Sequence, residues 1–163
     1  MRLFVAVRPP AEAIEHLGAT LPRWPSAQER WHVTLAFLGE VADPACVADR
    51  LRSAVPAVAS FPLALRGSGT FGRGAVVWVG LNGDVPALRS LAGAVVRACL
   101  AAGVEVDDRP FRPHLTVGRK GHPDVAALAS YDGPGWPVTE VELVRSDVGS
   151  SVRHTVRERF RRA

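Results

Sequence analysis

Two short stretches of this chain repeat one pattern, His32-Val33-Thr34-Leu35 and His114-Leu115-Thr116-Val117, 82 residues apart. Both copies sit in apolar, β-prone runs. A strand sends residues i and i+2 to one face and the residues between them to the other. Each His therefore shares a face with its Thr, while the apolar partners turn toward a core. The separation is about half of the 163-residue chain, which predicts two similar lobes related by a pseudo-twofold, each presenting one imidazole and one hydroxyl. Core packing gives no reason to set an imidazole beside a hydroxyl twice, so the repeat points to chemistry.

The other elements follow from period and punctuation. Leu3 to Val7 reads as a strand, and Pro9-Pro10 opens a short helix with Ile14, Leu17 and Leu21 on its apolar stripe. Trp31 to Leu38 is the next strand; Asp43-Pro44 then caps a helix that shows Val47, Leu51, Val55 and Val58 on one face up to about Ser60. Phe61 to Leu65 and Ala75 to Leu81 read as strands and Asn82-Gly83 as a turn. Leu88, Leu91, Val95 and Cys99 mark a helix that Gly103 ends. An acidic stretch, Glu105 to Asp108, and a loop through Pro110 and Pro113 lead into the second motif. A brief helix from Pro123 to Ala129, a Gly/Pro loop from Tyr131 to Pro137, and strands Val138 to Val148 and His154 to Phe160 complete the pattern. With no linker or low-complexity tract, residues 1–163 are expected to form a single two-lobed domain.

The formal charge of +4 and a pI near 10 favour an anionic partner such as a nucleic acid or nucleotide. Nineteen of the twenty basic residues are Arg, a skew that genome composition produces as readily as phosphate binding. Arg157, Arg159, Arg161 and Arg162 read as a solvated strand face and tail. Cys46 and Cys99 are isolated, so neither a disulfide framework nor a zinc site is indicated. No apolar run approaches the ~18 residues of a membrane span. The opening apolar run breaks at Arg8-Pro9-Pro10, early for a signal peptide. A cytoplasmic monomer is the expectation.

Gly67-Ser68-Gly69-Thr70-Phe71-Gly72 matches a dinucleotide fingerprint, but that motif needs a following helix to cradle a pyrophosphate. Here the β-run from Ala75 follows, and a flexible turn between strands is the better reading. His16, His122 and His154 read as satisfied or surface side chains. Phe37, Phe71 and Trp78 are candidates for stacking on a base but read more readily as core. Two opposed imidazoles suit an in-line displacement at phosphorus: a neutral one takes a proton from the nucleophile and a protonated one gives a proton to the leaving oxygen. A free His pKa near 6.5 lets both forms coexist near neutrality. Thr34 and Thr116 can donate hydrogen bonds to the non-bridging oxygens. No metal or other cofactor is required, and neither copy brings an adjacent carboxylate to hold a metal.

Several stretches together resemble one family. They are Arg2-Leu3-Phe4-Val5-Ala6-Val7, the extended motif His32 to Glu40, Val76-Val77-Trp78-Val79-Gly80-Leu81, Arg112-Pro113-His114-Leu115-Thr116-Val117-Gly118-Arg119, and Val141 to Ser146. The chain is similar over essentially its whole length to the RNA 2′,3′-cyclic phosphodiesterase family, also called the 2′-5′ RNA ligase family, of the two-histidine phosphoesterase superfamily. The resemblance implies an α+β fold, bilobal, with two antiparallel sheets flanked by helices around a central cleft. It implies hydrolysis of 2′,3′-cyclic phosphates at RNA ends, or of nucleoside 2′,3′-cyclic phosphates, to 2′-phosphates without ATP or metal, with weak reversible 2′-5′ ligation in some members. Carried over by motif, His32 would protonate the departing 3′ oxygen, His114 would activate water, and Thr34 and Thr116 would hold the phosphate. The donor and acceptor roles come from the resemblance alone, because the two copies are chemically alike. Arg112 and Arg119 flank the second motif, and Arg112 is the better candidate for an RNA contact. Two other readings stay open: a nucleotide or RNA binding module without catalysis, and the same chemistry on a 2′-5′ oligonucleotide or another cyclic phosphate such as that of ADP-ribose.

Overall fold

The computed structural model describes residues 1–21, 25–119 and 125–162, without the side chains of 25–27, 119 and 125. Lys120, His122 and the start of the helix expected at Pro123 lie outside the described residues, as does the Arg119 side chain.

The strands are β1 Arg2–Val7, β2 Val33–Glu40, β3 Phe61–Phe71, β4 Val76–Gly83, β5 Leu115–Arg119, β6 Trp136–Val138, β7 Glu140–Val148 and β8 Val152–Arg161. They form an antiparallel sheet in the order β6-β3-β4-β5-β2-β1-β7-β8. This sheet has two four-stranded halves. The half β2-β1-β7-β8 is built from the two ends of the sequence and the half β6-β3-β4-β5 from its middle. They meet at one bridge, Val33 of β2 opposite Leu115 of β5, so the two expected sheets are continuous at that point.

Three helices accompany the sheet: α1 Ala11–Thr20, α2 Pro44–Ala54 and α3 Val85–Ala101. Asp43 and Asp84 cap α2 and α3 by accepting from the backbone N–H of Cys46 and Ala87, and each is followed by a proline in the first turn. Helix α2 stops short of the expected Ser60. Pro56 has no N–H to continue the ladder, and the chain tightens into the 3₁₀ turn Val55–Ala57. Helix α3 packs on α2 and lies against β2 and β3. The core that results draws on both halves, from Leu3, Val5 and Val7 of β1 to Leu63, Val79 and Leu115. Val33 and Leu115, each the residue between the His and Thr of a motif, are both wholly buried.

Only the last glycine of the glycine-rich run makes the expected turn: Gly72, at φ 60°, opens the β3–β4 connection and accepts from the Ala75 N–H. The rest lies inside β3, where Gly67, at φ 67°, is the extra residue of a β-bulge and Gly69 pairs with Trp78 of β4. A Cβ added to Gly69 would fall inside the Trp78 ring, so the indole lies across β3 only because that position has no side chain. Gly69→Ala is expected to lower unfolding stability by about 1–3 kcal/mol through overpacking, read as a shift of the urea midpoint at unchanged slope. Likewise Asn82 and Gly83 remain in the β3–β4 ladder, and part of the expected 131–137 loop is edge strand β6. The chain between Leu128 and Ser130 forms the end of a 3₁₀ turn, Val125–Ser130. Among the described residues no helix is long and apolar enough to cross a membrane.

Candidate active site

The join between the halves places the two motifs. With Val33 and Leu115 opposite each other, antiparallel register sets His32 alongside Thr116 and Thr34 alongside His114. All four side chains stand one residue from the buried pair and share the other face. The two His occupy opposite corners of this array, their Cα atoms roughly 8 Å apart given a ~3.3 Å rise per residue and a strand spacing of ~5 Å. All four line one cleft of about 1660 Å³.

Both imidazoles are held in the same way. Strands β2 and β5 begin at the residue after each His, so each ring sits at a strand entrance. His32 Nδ1 donates to the Arg30 carbonyl at 2.5 Å, and His114 Nδ1 donates to the Arg112 carbonyl at 2.6 Å. A carbonyl can only accept, so Nδ1 carries the proton of the neutral ring and Nε2, on the opposite edge, keeps its lone pair. Each entrance is also gripped by an arginine one carbonyl further back. Arg8 donates to the carbonyls of Glu29 and Trp31 at 2.9 Å and of Gln28 at 3.3 Å; Arg89 donates to the Phe111 carbonyl at 3.0 Å and lies over its ring. In both cases the arginine takes the carbonyl three residues before the His, and the next carbonyl faces the imidazole.

Arg112 was the remaining candidate. Its carbonyl orients His114, while its side chain is exposed and is not among the groups lining the cleft. Phe37, Phe71 and Trp78, expected in the core, are instead partly exposed beside the site. Leu35 is an extra residue in β2 relative to β1, so Phe37, opposite Phe4, comes onto the face of Thr34 and is half exposed on the cleft wall. Trp78 pairs with Thr116, and its ring centroid lies 6.4 Å from that of His114, with Phe71 at 4.9 Å. Sequence reading also set His154 aside. The structure puts it in the cleft, where its ring centroid is 5.3 Å from that of His32. Its place on β8, opposite Ser146, depends on a pairing that no local pattern announces. His16 has the satisfied role expected, its Nδ1 2.7 Å from the Tyr131 hydroxyl.

Burial pulls the His32 pKa down from 6.5 to about 4; the Arg30 carbonyl opposes this, and the positive charges of His154, Arg8 and His114 reinforce it. Without substrate the ring is neutral at pH 7. Its folded pKa lies below its unfolded one, so between pH 6.5 and about 4 the unfolded chain holds a proton that the folded chain lacks. Stability therefore falls as pH drops through that window, by about 3 kcal/mol from this group in full. Urea denaturation from pH 7 to 4 is expected to show the decline, and His32→Phe to flatten it.

A fold of two antiparallel halves, each delivering one His-x-Thr motif to a shared cleft, defines the two-histidine class. The sequence comparisons agree, with residues 4–150 matching the model of the 2′-5′ RNA ligase superfamily. An RNA 2′,3′-cyclic phosphodiesterase of Escherichia coli K12 is 32% identical over 162 residues, 89% of this chain and 86% of that protein. Another of Geobacillus stearothermophilus is 41% identical over 100 residues, 57% of this chain but only 31% of that protein. Among solved structures, a protein of Thermus thermophilus superimposes with a TM-score of 0.78 at 28% identity, covering 99% of this chain and 97% of that one. LigT of Escherichia coli, solved with 3′-AMP, gives 0.74 at 28% identity and the same two coverages. The chain belongs to the 2′-5′ RNA ligase superfamily.

Proposed function

We propose that this protein hydrolyses 2′,3′-cyclic phosphates at RNA ends to 2′-phosphates, using two imidazoles and no metal or other cofactor. The observation that carries the reading is the matched pair of rings, each pinned through Nδ1 to the carbonyl two residues back and each lining the same cleft with Nε2 unengaged by that bond. His114 Nε2 takes a proton from water as the water oxygen attacks phosphorus. The bond to the 3′ oxygen breaks, and Nε2–H of a protonated His32 gives that oxygen its proton. The product is a 2′-phosphate with a free 3′-hydroxyl. Thr34 and Thr116 donate to the non-bridging oxygens while the pentacoordinate centre forms. With an RNA 5′-hydroxyl in place of water, the same proton transfers yield a 2′-5′ linkage.

His32 is neutral without substrate, so this assignment has it gain its proton as the phosphate anion binds beside it. Arg112, exposed at the approach to the second motif, is assigned to the RNA backbone beyond the scissile phosphate. The names of the relatives and the 3′-AMP held by LigT support a nucleotide in this cleft. Action as a monomer and a cytoplasmic location are part of the same proposal.

The test is hydrolysis of a nucleoside 2′,3′-cyclic phosphate in EDTA, with product regiochemistry read by phosphorus NMR. The 2′-phosphate alone is expected, at a rate that chelation leaves unchanged. A chelator-sensitive rate or a 3′-phosphate product refutes the mechanism, and binding without turnover favours a nucleotide-binding module.

A further inference from the structure

His154 has no part in the reaction just described, yet it packs against the imidazole that the reaction uses as acid. Its ring meets the His32 ring edge-on, with centroids 5.3 Å apart and planes at 69°, and meets Phe4 the same way at 5.0 Å. Phe4 in turn stacks on His32 at 4.7 Å with planes only 25° apart. The three rings make a slot in which Phe4 covers one face of His32 and His154 closes its side. A tie between strand and motif keeps the slot together: Arg30, whose carbonyl orients His32, donates from its guanidinium to the Val152 carbonyl of β8 at 3.4 Å.

We propose that His154 is a positioning residue for His32: with Phe4 it fixes the plane of the His32 ring, and when it carries a proton it opposes a second positive charge there. This rests on the two-imidazole reading above. Rings this close, with His32 buried, repel when both are cationic, so the pair takes up protons in two separated steps. A charge on His154, the less buried ring, resists a proton at His32. Of the other groups facing the pair, Arg30 acts on His154 while Arg8 and His114 act on His32, and all push in the same direction. On β7, next to the Ser146 that pairs with His154, Arg145 and Asp147 bind each other at 2.9 Å. Among the described residues no carboxylate acts on either ring, and in the proposed reaction the anion of a bound phosphate lets His32 take its proton.

The experiment compares His154→Phe and His154→Ala in two ways: the His32 titration followed by NMR without substrate, and kcat and KM on a nucleoside 2′,3′-cyclic phosphate. His154→Phe keeps an aromatic ring in the slot but no charge. It is expected to hold kcat within about threefold of wild type while the His32 midpoint rises by roughly half a unit or more. His154→Ala opens the slot and is expected to lower kcat about tenfold at unchanged KM. An unmoved His32 midpoint in both variants overturns the proposal, as does an alanine variant with wild-type kcat or one that changes KM alone. Should wild type not turn over cyclic phosphates at all, the reaction reading fails, while the substrate-free titration still decides whether His154 governs His32.

Discussion

His32→Ala and His114→Ala are each expected to cut kcat for cyclic phosphate hydrolysis by about 10²–10⁴-fold, with KM changed only a few-fold. In the proposed reaction both imidazoles act on protons that move in the transition state, so removing either withdraws stabilisation that the bound substrate never used. The double variant is expected to be about as slow as the slower single one, because acid and base serve one concerted displacement and the second loss removes little that remains. A double variant slower than either by the product of the two factors contradicts the paired role. Neither ring is needed to build the fold: the residues that join the halves are the buried Val33 and Leu115. Circular dichroism of the variants should therefore match wild type.

Thr34→Val and Thr116→Val are expected to lower kcat by about 10–10³-fold each, while Thr→Ser at either position keeps most of it. Valine preserves the branched shape and deletes only the hydroxyl donor, so the loss measures hydrogen bonding to the phosphate oxygens. Register places each Thr beside the opposite motif's His, which makes a sharper test available. Thr116→Val should couple more strongly with His32→Ala than with His114→Ala in a double-mutant cycle. Equal coupling to both imidazoles is the result that this geometry does not allow.

Much of this site was legible before any coordinates. The alternation His-apolar-Thr-apolar, repeated, fixed which side chains share a face, and the buried Val33 and Leu115 confirm the facing read from it. Helix α2 was marked by its Asp-Pro start, α3 by the glycine at its end, and both by stripes at helical spacing, which are local signals. Features that depend on a neighbour were misread. Phe37 was read more readily as core than as a stacking residue, but one bulged residue, Leu35, brings it onto the face of Thr34. Gly67 and Gly69 looked like part of the turn that only Gly72 makes, because glycine signals flexibility locally. Their actual uses are a bulge and a close approach by an indole on the next strand. Likewise nothing around Trp136 marks it as an edge strand until β3 lies beside it.

By itself the sequence determined the residue types of the chemistry, two imidazoles and two hydroxyls on strand faces, because periodicity is local and strands obey it wherever they lie. Only the tertiary structure decided that the four converge, through one backbone bridge between Val33 and Leu115 that joins halves drawn from distant parts of the chain. It also decided the state of the chemistry. Identical motifs place His32, and not His114, between Phe4 and His154, where burial and neighbouring positive charge keep it neutral. A proton's free energy depends on the water and charge that surround it, and those come from parts of the chain that a motif cannot contain.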